Sequence, residues 1–223
     1  MNEVSTSQTN PGTSDLAHLN ATAEELYYFA YGSNMNPQQM AARCPHASVV
    51  VIASLADHQI AFFGYSAIWD GAQETVLPAS GHNLWGVVYQ LSASDRESLD
   101  DAQDARMDGS GAYFHSPASV SSNDGTVYKV LLYKKASQGS PQKPSQEYLD
   151  FIVQGAQQRQ LPSAYIQSLR QIESTKARFV VPRQRKSLRE MTPGGESGRG
   201  ECGQCGDAPS SIIDITLGPS SRS

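Results

Sequence analysis

The stretch LYYFAYGSNMNPQQM, at residues 26–40, carries a run of aromatic and apolar residues into the short loop Gly32-Ser33-Asn34-Met35, here called the GSNM loop. Glycine permits backbone angles that are closed to other residues, and Ser and Asn readily form local side-chain hydrogen bonds. A strand that enters such a loop and continues into a helix exposes backbone N–H groups that suit a carboxylate or a developing oxyanion. The loop is therefore either an ordinary strand-to-helix turn or a segment that binds a ligand through its backbone.

A second group of residues that could do chemistry is the acidic run SLDDAQDA, at residues 98–105. Asp100 and Asp104 are four residues apart on a predicted helix, so they are expected to share one face. Two nearby carboxylates resist ionising together, which raises one pKa toward the range useful for acid–base catalysis. The alternative interpretation is that Asp100, Asp101 and Asp104 form a solvated acidic face.

The remaining reactive side chains give weaker patterns. The chain has no G-x-S-x-G motif, and its scattered histidines lack the spacing of metal ligands. The segment Cys202-Gly-Gln-Cys205 supplies only two potential ligands, so a closed zinc site would need two more from elsewhere. We predict no metal site.

The predicted elements that position these residues are mainly strands. Apolar runs predict strands near residues 27–32, 47–66, 84–91, 112–120 and 126–134, and Asn123-Asp124-Gly125 predicts a hairpin between the last two. Helical patterns cover Pro37 to about Arg43, residues 92–105 and residues 145–159, with a turn or short helix after Leu161. Since strands outnumber helices, we predict an α+β fold with a mixed, barrel-like sheet and a few flanking helices.

Composition divides the chain into three parts. Residues 1–25 are poor in large apolar side chains and are predicted to be a disordered arm, residues 26–175 the domain, and residues 176–223 a basic, then Gly/Ser-rich tail with the C-x-x-C. The net charge of −5 argues against a nucleic-acid binder. The chain lacks an apolar run of the roughly 20 residues needed to span a bilayer, and its start does not resemble a secretory signal. With three cysteines, the expected location is a reducing cytoplasm.

Four motifs in order carry a resemblance to a known family. YYFAYGSNM resembles the signature at the start of the γ-glutamylcyclotransferase family, which includes the γ-glutamylamine cyclotransferases and the plant AIG2-like relatives. LWGVVYQL resembles the family's WGVV strand, and SLDDAQDARMDGSGAYF resembles its Leu-Asp…Glu…Gly-x-Tyr segment. PSQEYLDFIVQGAQQRQLPSAYIQSLRQI resembles its closing helical region. The resemblance covers roughly Tyr27 to Ile172.

The resemblance implies a cofactor-independent lyase that acts on small γ-glutamyl amides or peptides. The substrate's α-amine attacks its own γ-carbonyl and releases 5-oxoproline and a free amine or amino acid. Because the attack is intramolecular, much of the entropic barrier disappears once the substrate is folded into a near-attack shape. One carboxyl group can perform both proton transfers in turn.

The resemblance also implies site residues. The family's catalytic Glu, counted without gaps from Leu99, falls on Gln103, which cannot transfer protons, and one residue later it falls on Asp104. We therefore predict Asp104 as the acid/base residue, with Asp100 or Glu97 as alternatives. The residues implied to bind the substrate are Tyr31, Gly32, Ser33, Asn34, Met35, Tyr113 and Tyr148.

A second hypothesis of a different class stays open at this stage. If Asp104 cannot replace the missing Glu, the chain would be a catalytically silent γ-glutamyl-binding protein that recruits a protein partner through residues 176–223. Within that tail, SSIIDITLG at residues 210–218 is apolar enough to add a strand to a neighbouring sheet.

Overall fold

The computed structural model describes residues 26–106, 108–136 and 139–183. The predicted N-terminal arm and most of the predicted tail, including Cys202, Cys205 and residues 210–218, lie outside the described residues. The strands are β1 (Leu26–Ala30), β2 (Ser48–Ser66), β3 (Gly71–Leu91), β4 (Tyr113–Ser122) and β5 (Val127–Lys135). The helices are α1 (Pro37–Arg43), α2 (Ala93–Gln103), α3 (Gln146–Gln158) and α4 (Ser163–Arg170), and a single 3₁₀ turn spans Ser33–Met35.

The five strands close into a barrel in the order β1-β3-β2-β4-β5. β1 lies parallel to β5 where the barrel closes, and every other neighbouring pair is antiparallel. The predicted α+β fold with a mixed, barrel-like sheet is therefore confirmed. The predicted hairpin is also present, because β4 and β5 pair in register on either side of Asn123-Asp124-Gly125.

The largest difference from the sequence prediction lies in β3. Its first half, residues 71–83, was not predicted as a strand, yet it pairs with β2 from Ser66↔Gly71 to Ala56↔Asn83. The segment is rich in small and polar residues, and Pro78 lies where the register shifts between Ala56 and His58. Proline is tolerated at such irregularities because a ladder hydrogen bond is already missing there. The pairing thus depends on the partner strand rather than on local propensity.

The helices begin where the sequence signals predict. The Asn36 side chain caps α1 by accepting from Gln38 N–H at 3.0 Å, and Pro37 occupies the first turn, where its missing N–H costs nothing. Ser92 caps α2 by accepting from Asp95 N–H at 3.1 Å. None of the helices in the described ranges is long and apolar enough to cross a membrane.

The core fills the barrel and continues beneath α3. The aromatic ring of Trp69 packs against Tyr148 and Phe151 of that helix, with ring centroids 4.6 and 5.2 Å apart. Gly155 allows α3 to approach the end of the GSNM loop, because a Cβ at this position would lie 2.5 Å from the Asn36 nitrogen. The third helix therefore closes over the loop that the sequence singled out.

Candidate active site

The GSNM loop is a tight turn with little freedom. Met35 N–H donates to the Gly32 carbonyl at 2.9 Å, and Asn36 N–H donates to the Ser33 carbonyl at 3.0 Å. These two N–H groups are used inside the loop, so the expectation that the whole loop presents its backbone donors to a ligand is too broad. Ser33 N–H has a different role, because it donates to a side chain on β3.

The Asn34 side chain holds the GSNM loop in place through hydrogen bonds. Its amide nitrogen donates to the Tyr28 hydroxyl at 2.9 Å, and its amide oxygen accepts from Gln39 Nε2 at 2.9 Å and from Arg43 Nη1 at 2.7 Å. Gln39 also donates to the Ser33 hydroxyl at 3.0 Å. Asn34 is buried with these partners, so its side chain holds the loop in place.

The side chain that meets the loop is Glu74 of β3. Its Oε1 accepts from Ser33 N–H at 3.1 Å and lies 3.3 Å from the Ser33 hydroxyl, which donates to it. Its Oε2 accepts from the Tyr148 hydroxyl on α3. Glu74 is only 5% exposed. A backbone amide, a serine and a tyrosine therefore converge on one buried carboxylate.

Gly32 is required for this arrangement. A Cβ at position 32 would lie 2.2 Å from Glu74 Oε1 and 2.4 Å from its Cγ, far inside van der Waals contact. The glycine thus allows the carboxylate to lie directly over the loop backbone.

The two tyrosines implied to bind the substrate both contact Glu74. Tyr148 donates to its carboxylate, and Tyr113 donates to its backbone carbonyl at 2.9 Å. Burial, reinforced by the negative charge of Glu74, raises the pKa of both hydroxyls well above that of a free tyrosine. Both groups therefore stay protonated and act as donors over the physiological pH range.

Tyr31 and Met35 have structural partners. The Tyr31 hydroxyl donates to the Tyr133 carbonyl, and burial raises the pKa of Tyr31. The Met35 side chain is fully buried in the core. These two residues shape the wall of the site, whereas Ser33, Glu74, Tyr113 and Tyr148 supply its polar contacts.

Asp104 lies in a different environment. It ends α2 in the left-handed conformation, with φ of 47°, and its side chain is 45% exposed. Its carboxylate accepts from Arg106 Nε at 3.1 Å and from Ala112 N–H at 3.1 Å.

Asp100 and Asp104 make hydrogen bonds to different partners. Because α2 ends at Asp104, the four-residue spacing no longer places both carboxylates on one helical face. Asp100 instead accepts from the Tyr133 hydroxyl and lies 2.5 Å from His115 Nε2. Each carboxylate therefore has its own partners.

Sequence reasoning missed Glu74, although a signal was present. Ala72, Glu74 and Val76 alternate along β3, and all three are buried. An acidic residue within a buried alternating series is costly unless it is hydrogen-bonded, so it marks a candidate functional carboxylate. The signal was not read because no strand was predicted over residues 71–83.

Within the ranges that the structure describes, no three His, Cys, Asp or Glu side chains gather as ligands. The donors around Glu74 are amide and hydroxyl groups, which suit an exchange of protons with an organic substrate.

Comparisons with known proteins place this geometry in context. A family model described as "AIG2-like family" matches residues 83–169. The γ-glutamylcyclotransferase of Mus musculus is 31% identical over 160 residues, which cover 70% of this chain and 83% of the relative. The Homo sapiens protein of the same name is 30% identical over 154 residues, covering 67% and 80%. A solved structure named "Gamma-glutamyl cyclotransferase" matches with a TM-score of 0.65 at 30% identity, covering 71% of this chain and 94% of that one.

Proposed function

Because the chain belongs to the γ-glutamylcyclotransferase family, we propose that it cleaves a γ-glutamyl amide or peptide and releases 5-oxoproline, with Glu74 as the acid/base residue. The observation that carries the proposal is the convergence of Ser33 N–H, the Ser33 hydroxyl and the Tyr148 hydroxyl on the buried Glu74 carboxylate. The role that the sequence alone suggested for Asp104 is thereby proposed for Glu74.

The proposed reaction needs two proton transfers at one place. Glu74 accepts a proton from the substrate's α-ammonium group, and the freed amine attacks the γ-carbonyl carbon. The new C–N bond closes the five-membered ring while the negative charge develops on the carbonyl oxygen. The Glu74 carboxyl then returns this proton to the leaving nitrogen as the original C–N bond breaks and the carbonyl forms again. The ring nitrogen still carries two hydrogens and a positive charge, so it gives its second proton to Glu74, which passes it to the released amine. The leaving group thus departs as an ammonium ion, and the lactam nitrogen keeps one hydrogen.

The neighbours of Glu74 suit both stages of this cycle. Hydrogen bonds from Ser33 and Tyr148 hold in place the carboxylate that must accept the first proton. The low exposure of the cluster keeps water from competing for that proton. Tyr148 stays protonated beside Glu74, so its hydroxyl can reorient toward charge that develops on the substrate.

The direct test is release of 5-oxoproline from a panel of γ-glutamyl compounds, namely γ-glutamyl amino acids, γ-glutamyl-alkylamines and glutathione. Wild type is expected to turn over at least one of them. Glu74→Gln is expected to lower kcat by about 10³-fold or more, because general acid–base catalysis contributes roughly 10²–10⁴-fold. The amide can keep its oxygen toward Ser33 N–H and direct its NH₂ toward the Tyr148 oxygen, so the fold is expected to persist.

The matched control is Glu173→Gln on the surface. Glu173 pairs with Lys143 at 2.8 Å and its side chain is 80% exposed, so this variant should keep full activity. Binding of a γ-glutamyl compound, followed by calorimetry, should survive in Glu74→Gln. If wild type binds these compounds without releasing 5-oxoproline, the silent-binder hypothesis replaces the enzyme. If Glu74→Gln retains wild-type kcat, the acid/base assignment is wrong.

A further inference from the structure

We propose that Lys135 selects substrates whose leaving group carries a carboxylate, so that γ-glutamyl amino acids or peptides are preferred to γ-glutamyl-alkylamines. This inference deepens the proposed function and rests on it. It starts from a lysine that neither the sequence motifs nor the proposed proton transfers use.

Lys135 is held close to the Glu74 cluster by two strands. It lies opposite Tyr113 in the β4–β5 pairing, and its ammonium lies 4.7 Å from the centre of the Tyr113 ring. Its backbone N–H donates to the Thr75 hydroxyl at 3.0 Å, and Thr75 follows Glu74 on β3. Lys135 is thus fixed beside the cluster on the side where Tyr113 lies.

The environment of Lys135 is unusual for a lysine. Only 9% of the residue is exposed, and the end of the side chain lies against Gly64, where a Cβ would be 3.5 Å from Cε and 3.8 Å from Nζ. Burial lowers the pKa of the ammonium group, and the negative charge of Glu74 opposes that shift. Over the residues that the structure describes, no carboxylate lies within 4.0 Å of the Lys135 ammonium.

A buried cation without a carboxylate within ion-pair distance is costly, and an anionic ligand would offset that cost. Open space for such a ligand is present. A cavity of about 670 Å³ is lined by Lys135, Gly64, Gln142 and residues 109–112. Residues 111 and 112 precede Tyr113 in the chain, and Lys135, which lines the cavity, also lies over the Tyr113 ring, so Lys135 links the cavity to the cluster.

The chemistry of the proposed reaction assigns an occupant to this cavity. The glutamyl part of the substrate must reach Glu74, because its α-amine and its scissile nitrogen both exchange protons there. The leaving group then extends away from Glu74, and the cavity beside Tyr113 and Lys135 can receive it. An amino-acid leaving group carries a carboxylate next to its nitrogen, which a lysine ammonium recognises as a compact charge. An alkylamine leaving group has no such charge and leaves Lys135 unpaired.

The test uses two substrates that differ only at this charge. γ-Glutamyl-L-alanine and γ-glutamylethylamide have the same glutamyl group and the same two-carbon branch, but only the first has a carboxylate on the leaving group. Wild type is expected to favour the alanine compound by at least about tenfold in kcat/KM, since a group built to pair a charge rejects the analogue that lacks it. In Lys135→Met the ratio is expected to fall to near one, through a rise in KM for the alanine compound.

Two further variants separate recognition from structure. Lys135→Arg keeps the positive charge and is expected to retain most of the preference. Lys143→Met removes an exposed lysine that pairs with Glu173 and should keep the wild-type ratio. A structural role for Lys135 would instead lower kcat/KM for both substrates equally, and that result would overturn the inference.

The outcomes for wild type distinguish this inference from the proposed function. Turnover of both compounds with equal kcat/KM would overturn the inference alone, since the cyclisation would still occur. Absence of 5-oxoproline from both compounds and from the wider panel would overturn the proposed function and the inference together.

Discussion

Glu74 and Asp104 are two carboxylates of the same fold that differ in solvent exposure and in hydrogen-bond partners. Glu74 lies inside the barrel, 5% exposed, and accepts hydrogen bonds from a backbone amide and two hydroxyls. Asp104 lies at the end of α2 with its side chain 45% exposed, and pairs with Arg106 at 3.1 Å. Water therefore reaches the Asp104 carboxylate and is largely excluded from the Glu74 carboxylate.

This difference bears on which carboxylate can exchange protons with a substrate. At an exposed carboxylate, solvent screens the charge and competes for the proton. At a buried one, each fixed donor counts for more, and a bound amine is the nearest proton source. The proposal of Glu74 as the acid/base residue therefore rests on its burial and its fixed donors, which Asp104 at the end of α2 lacks in comparable degree.

Among the variants considered for this comparison, the largest effect is expected from Gly32→Ala, which displaces the Glu74 carboxylate. The added methyl would meet Glu74 Oε1 at 2.2 Å and force the carboxylate away from Ser33. Activity is expected to fall by about 10²-fold or more, since displacement of a reacting group by about 1 Å can cost that much. Thermal unfolding should show a loss of about 1–3 kcal/mol, because a buried carboxylate loses hydrogen bonds.

A double variant separates the clash from other effects of the methyl group. In Gly32→Ala combined with Glu74→Ala, the space left by the carboxylate accommodates the methyl, so thermal stability should recover while activity stays lost. Recovery of neither property would mean that the alanine distorts the loop itself, independently of Glu74.

A smaller effect is expected from Tyr148→Phe. The phenyl ring keeps its packing against Trp69, but Glu74 Oε2 loses its hydroxyl donor. We expect kcat to fall by about 10- to 100-fold, which is the lower range for loss of one polar group at a reacting centre. Tyr128→Phe, at an edge-on contact with Tyr27 away from Glu74, is the matched control and should leave kcat unchanged. Equal effects of the two variants would argue against a direct role for Tyr148.

The sequence predicted the local features of this molecule well. The bounds of α1 and the β4–β5 hairpin depend on neighbouring residues, and both follow from short-range rules. Ser33 of the GSNM loop, Tyr113 and Tyr148 were also singled out from the sequence. In the structure Ser33 and Tyr148 donate to the Glu74 carboxylate and Tyr113 donates to its backbone carbonyl, while their role in binding substrate stays a prediction.

The identity of that carboxylate was missed, because the strand that carries it was not predicted and its partners are distant in sequence. Glu74 faces the loop only because β3 pairs with β2 through Phe62↔Glu74, in a segment with little strand propensity of its own. Its partners Ser33 and Tyr148 lie 41 and 74 residues away along the chain. Asp104, in contrast, was favoured by its place in a motif and by its helical spacing from Asp100. The helix ends at Asp104, so that spacing does not put the two carboxylates on one helical face.

The smallest effect is therefore expected from Asp104→Asn. Asparagine tolerates the left-handed conformation at the end of a helix, and its amide oxygen can still accept from Ala112 N–H. Asparagine has no charge, so the exposed ion pair with Arg106 is lost, and such a surface pair contributes little to the free energy of unfolding. We expect kcat/KM within about twofold of wild type and a similarly small change in melting temperature, measured beside Glu74→Gln on the same substrate. A loss of kcat in Asp104→Asn as large as that in Glu74→Gln would instead mean that the α2 end and its loop rearrange toward the GSNM loop when substrate binds, and the acid/base role would return to Asp104.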